Sequence, residues 1–148
     1  MTAPLLEVTI PGAPVGKGRP VFARRGNHVT TRTPDRTAAW EHLAAEYLGA
    51  HWRQAPIARD VPVVVEVLAL FDRPQRLRGS KRKPADPGRL PHTSKADWDN
   101  IGKIASDALV LAGVLEDDAC VCDGHVRKRY IGEGERPGVT ITVRRWEA

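Results

Sequence analysis

Acidic side chains stand in two close pairs along this chain. Asp97 and Asp99 lie in the stretch KADWDNIGK, Asp117 and Asp118 lie in VLEDDACV, and Lys103 follows Asp99 by four residues. Alternate residues of an extended segment point the same way, so Asp97 and Asp99 share a face if the chain is extended before a helix begins. Three or four carboxylates drawn to one point repel unless a cation sits among them. Hard oxygen donors select Mg²⁺ or Mn²⁺ over zinc. Beside basic residues that hold a polyanion, such a metal activates a water and stabilises charge on a phosphorus centre, which is the arrangement for phosphodiester hydrolysis. Lys103, one helical turn beyond Asp99, is placed to hold a phosphate oxygen or the developing charge. A plainer reading is structural. Asp99 is then a helix N-cap, and Lys103 is its surface partner in an ion pair worth roughly 0.2–0.5 kcal/mol. The D-x-D spacing alone does not decide between them.

Positioning these residues falls to the elements around them. Ile101, Ile104, Ala105, Ala108, Leu109 and Ala112 make one stripe of a helix that Gly113 is placed to end, with Asp99, Lys103 and Asp107 on the opposite face. The second acidic pair follows that glycine and opens a strand, ACVCDGHVRKRYIG; GVTITVRRW is another. Upstream, LLEVTIPG alternates as a strand, and VFARRGNHVTT reads as a hairpin turning at Gly26-Asn27. Thr33-Pro34-Asp35 starts a helix whose apolar positions are Ala39, Leu43, Ala44, Tyr47 and Leu48, and VPVVVEVLALF is a strand near the sheet centre. The pattern predicts a single α+β domain over 1–148, with a mixed β-sheet and two main helices.

The chain has 148 residues and a formal net charge of +5, with 23 basic and 18 acidic side chains. That balance favours a polyanionic partner. Much of the positive charge falls in the Pro- and Gly-rich stretch 72–95, in Arg73, Arg76, Arg78, Lys81, Arg82, Lys83, Arg89 and Lys95. This stretch is expected to be a flexible loop that orders on DNA and contacts phosphates. Lys17 and Arg19, in GAPVGKGRP, are further candidates for backbone contact. That glycine loop is not a P-loop, because Gly12 and Gly16 are separated by three residues and Gly18 follows Lys17. DWDNIG is not a calcium loop either, since Ile101 and Ala108 stand where oxygen ligands are needed. Cys120 and Cys122 are too close for an unstrained disulfide, and with only His125 nearby they make no zinc site, so they read as buried or half-buried free thiols. No apolar run is long enough to span a membrane and the N-terminus lacks signal-peptide features, so a cytoplasmic protein is expected.

The segment DWDNIGKIASDALVLAGVLEDDACV, residues 97–121, resembles without a gap the core motif of the RusA family of Holliday junction resolvases. That pattern is an Asp-x-Asp-Asn pair, a lysine one turn on, a short helix with DAL and a glycine, then paired acids before a strand. GKGRPVF is similar to the N-terminal segment of many members but is a weaker signal. The resemblance implies a homodimeric, Mg²⁺-dependent endonuclease (Mn²⁺ substituting) that cuts four-way DNA junctions symmetrically. It implies Asp97, Asp99 and Asp118 as metal ligands, Lys103 as the catalytic lysine, and Asp117 as an accessory ligand. Two other readings stand beside it: a non-catalytic nucleic-acid-binding protein, and a nuclease for other branched DNA.

Overall fold

The computed structural model describes residues 3–148. Seven strands and two helices follow in the order β1 (Leu6–Pro11), β2 (Val21–Arg25), β3 (His28–Arg32), α1 (Asp35–His51), β4 (Val63–Phe71), β5 (Leu90–Pro91), α2 (Trp98–Leu111), β6 (Val121–Tyr130) and β7 (Gly138–Arg145). Five strands form one sheet in the order β1-β7-β4-β6-β5. The β4–β6 pair is parallel and the other pairings are antiparallel. The expected α+β fold with a mixed sheet is therefore present. Because β4 and β6 run the same way, their connection must cross the sheet, and α2 lies in that crossover.

Period-two alternation decides which face is buried. Val63, Val65, Val67 and Ala69 of β4, with Leu6, Val8 and Ile10 of β1 and Val139, Ile141 and Val143 of β7, join the helices in one core. The opposite face is mixed: Val64, Leu68 and Leu70 of β4 are half-buried there, while Thr9 and Thr140 share a hydrogen bond of 2.8 Å and Arg144 meets Glu66 at 3.3 Å. Helix α2 packs its expected stripe, Ile101, Ile104, Ala105, Ala108 and Leu109. Gly113 then leaves the helix at φ 76°, a conformation that costs glycine little.

The buried row of α1 differs from the expectation. It is Thr37, Trp40, Ala44 and Leu48, while Ala39, Leu43 and Tyr47 are exposed. The row 40–44–48 carries the indole into the core, and Leu43 and Tyr47 lie one residue, about 100°, around the helix from it. The hairpin β2–β3 turns at Gly26 as expected, but it stands apart from the main sheet with every residue exposed.

Candidate active site

Helix α2 starts at Trp98. Asp97 occupies the N-cap position, with extended backbone (ψ 152°) and no side-chain capping bond, and Asp99 falls in the first turn. The expected capping role of Asp99 is thus corrected, because the extended-to-helical change comes two residues earlier. Both carboxylates are exposed. Lys103 does not pair back with Asp99 either. Its ammonium lies 3.2 Å from Asp107 and 3.4 Å from Asp118. The hydrogen bond to Asp107, helped by the one to Asp118, holds the Lys103 pKa above the usual lysine range despite partial burial. Lys103 therefore joins the helix to the segment that follows it.

That segment is held from outside. Ile57, in the connection after α1, forms a parallel bridge with Leu115, donating to the Val114 carbonyl and accepting from Glu116 N–H, both at 2.9 Å. Glu116 accepts from the Arg59 backbone N–H at 3.0 Å. The two adjacent aspartates then divide their work. Asp117 caps a short 3₁₀ turn, Asp118–Cys120, by accepting from Ala119 N–H at 2.8 Å, and its other oxygen meets Arg59 at 3.4 Å. The backbone bond and the guanidinium together hold its carboxyl below the usual range. Asp118 points instead toward Lys103 and lines a small hollow of about 150 Å³ between α2 and the sheet.

The carboxylates suit a hard divalent cation in kind. Among the described residues, however, no three His, Cys, Asp or Glu side chains stand together as a cation cage. Asp118 faces an ammonium, while Asp97 lines a separate cleft in front of α2. In this arrangement Lys103 is the cation beside Asp118.

The basic residues fall into distinct groups. Lys17 is held between Glu41 at 2.6 Å and Asp107 at 3.0 Å, so it ties the glycine loop to both helices. Burial works against its charge, but the bonds to the two acids raise its pKa overall. Arg73 is only 8 % exposed, and its guanidinium donates to the carbonyls of Ile131, Leu77 and Gly88. Those donors hold stretch 72–95 in shape and engage the Arg73 guanidinium within the protein. Arg78 donates to the Arg73 carbonyl, and Arg89 is paired with Glu135 at 2.6 Å. That pairing, with the Gly132 N–H, lowers Glu135 to about 2. Arg19, Arg76, Lys81, Arg82, Lys83 and Lys95 are exposed and make no ion pair with a described residue.

Asp107 and Arg59 were not among the candidates read from the sequence. Asp107 was visible as the third member of the Asp99–Lys103 face, but its bond to Lys17 spans ninety positions and leaves no local signal. Both cysteines are free, and Cys120 is buried in the 3₁₀ turn as expected, but Cys122 is exposed on β6, which corrects its expected burial. Among the described residues no helix is long and apolar enough to cross a membrane.

The sequence model of the endodeoxyribonuclease RusA family matches residues 11–144. The chain is also 31% identical over 141 residues to the uncharacterized protein YqaN of Bacillus subtilis (strain 168), covering 94% of this chain and 95% of that protein.

Proposed function

Because the chain belongs to the RusA family of endodeoxyribonucleases, we propose that it resolves four-way DNA junctions, as a Mg²⁺-dependent homodimer that makes paired nicks. Nucleases of this family generally depend on a divalent metal and act on branched DNA. The observation that carries the reading is the contact between Lys103 and Asp118, side chains fifteen positions apart on different elements, in the motif that the family match covers. Asp97 and Asp99, at the start of the helix bearing Lys103, complete the candidate set.

Asp97, Asp99 and Asp118, which stand apart in this structure, would be drawn together to hold the metal, with Asp117 accessory at most because its oxygens are already engaged. When bound, Mg²⁺ supplies activation of a water and neutralisation of charge on the phosphate. The ammonium of Lys103, released from Asp118 as DNA arrives, faces a non-bridging oxygen and stabilises the charge that builds there. Arg19, Arg76, Lys81, Arg82, Lys83 and Lys95 contact phosphates of the arms.

The test is a synthetic four-way junction incubated with the protein in Mg²⁺ or in EDTA. Symmetric nicks in Mg²⁺ alone are expected. Residues that only hold a metal ligand in place are worth about 10–100-fold, so Asp97→Asn, Asp99→Asn and Asp118→Asn should each lower cleavage by at least about 100-fold. Junction binding in a gel shift should stay equal or tighten, since a carboxylate beside a polyanion is removed. Binding without cutting under every condition points to a non-catalytic DNA-binding protein. Cutting of flaps or forks but not of junctions points to another branched substrate.

A further inference from the structure

A cleft of about 890 Å³ opens in front of the two helices, with Asp97 in its lining. The reading above uses Asp97 for the metal and Arg19 and Lys95 for DNA phosphates, and it leaves Arg36 and the aromatic wall of the cleft unassigned. One wall is the glycine loop, residues 16–19. Its backbone is seated so closely that a Cβ on Gly16 would lie 2.6 Å from Ala96 Cβ, and one on Gly18 2.9 Å from Pro34 Cγ. Lys17 N–H donates to the Asn100 carbonyl at 3.0 Å, and Gly18 N–H to Thr37 Oγ1 at 3.1 Å. The loop is thus fixed to α1 and α2 at once.

Two properties of the cleft point to what it takes. The first is charge. Arg19, Arg36 and Lys95 line it, are exposed, and make no ion pair with a described residue. Asp72 and Asp97 are the acids in the lining. The starts of both long helices face it, and their partial positive ends favour an anion. The second is a flat aromatic surface. Phe71 and His92 both line the cleft, stacked with ring centroids 3.6 Å apart and planes at 15°. Tyr130 packs behind His92 at 4.7 Å with its plane tilted by 58°. His92 is buried, so its ring backs that of Phe71, and burial together with nearby Lys128 lowers its pKa. An aromatic face beside arginines and a lysine suits a base joined to a phosphate. A cavity of this size suits a single nucleotide and is far too small for a duplex.

We propose that this cleft receives one unstacked nucleotide of the cut strand, flanking the scissile phosphate, with its base on Phe71 and its phosphate on Arg19, Arg36 and Lys95. The proposal rests on the nuclease reading above and extends it. Base pairs at the exchange point of a junction are the ones most easily opened, and unstacking costs least where pairing is already broken. The cleft then favours a nick where a base has left the stack, which couples cutting to the branch point.

The experiment uses full-length protein and a series of junctions, each with an abasic residue at one position flanking the nick. At one position, loss of the base should lower wild-type cleavage kcat/KM by about five-fold or more. Phe71→Leu should lose the same factor on the intact junction and nothing further on that abasic one. A merely structural defect of Phe71→Leu would instead lower cleavage equally across the series and overturn the proposal. Arg36→Ala, a change at an exposed helix start, gives a second variant and should raise KM for every junction. Absence of any position sensitive to base loss overturns the cleft assignment and leaves the nuclease reading standing. If no junction is cut in Mg²⁺, 2-aminopurine at the same positions decides. Position-specific fluorescence change on binding, absent in Phe71→Leu, keeps the cleft and removes the nuclease reading, and no change at any position removes both.

Discussion

The two neighbouring aspartates of the acidic pair illustrate how unequal adjacent, chemically identical residues become. Asp117 has one oxygen on the Ala119 N–H and the other near Arg59, while Asp118 faces Lys103. Asp117→Asn keeps an oxygen able to cap the turn, so cleavage should fall by no more than about ten-fold, the low end for a residue that only positions a ligand. Asp118→Asn should fall by at least about 100-fold on the same junction. Equal losses in the two variants would overturn the division of roles. Lys103→Met should lose about 10²–10³-fold, the scale of one preorganised donor to a developing charge, with Lys103→Arg recovering part of it. In the sequence both acids were legible as a pair, but which one caps was not. The distinction depends on a backbone turn and on an arginine fifty-eight positions upstream. The capping assignment of Asp99 erred for a related reason, since a D-x-D pair at a helix start leaves the first helical residue open by two positions.

At the scale of elements, periodicity carried most of the reading. The stripe of α2 and the alternation of β1 were visible because each buries one face against a single layer. The row of α1 is harder to place because apolar residues occupy two adjoining faces, Trp40, Ala44 and Leu48 on one and Ala39, Leu43 and Tyr47 on the next. Strand β5 escaped notice because two residues, Leu90 and Pro91, have no period, and a proline is tolerated there only because the strand is at the sheet edge. Stretch 72–95 combines both kinds of position. Arg73 and the Arg89–Glu135 pair anchor its ends, and Lys81, Arg82 and Lys83 lie exposed between them. Replacing those three by serine should leave the melting temperature nearly unchanged while weakening junction binding. The slope of log affinity against log salt should shrink by about 0.9 for each phosphate that the variant no longer neutralises, and an unchanged slope would show that the stretch does not touch DNA. The opposite behaviour is expected at Gly16→Ala. Its new Cβ meets Ala96 at 2.6 Å, and such overpacking costs about 1–3 kcal/mol, so the melting temperature should fall.

For the whole molecule the governing fact is that a junction needs two cuts, and each chain carries one candidate site. A 16.3 kDa chain with a single Asp97–Asp99–Lys103–Asp118 set resolves a four-way junction cleanly only if two copies act within one bound state, and a twofold dimer matches the twofold symmetry of the substrate. The sequence alone held no sign of where two copies meet, since an interface surface obeys the same rules of composition as any other partly apolar surface. The consequence can be tested without knowing the interface. Wild-type protein should elute at twice the chain mass. Mixed with an excess of Asp99→Asn, it should form dimers with one active site. On a junction held in a supercoiled cruciform, the wild-type dimer should yield linear product, because the second nick follows before dissociation. The mixed dimer should yield nicked circles, because it has no second site. Linear product from the mixed dimer would mean that each chain cuts on its own, and the dimeric mechanism would then give way to one of independent sequential nicks.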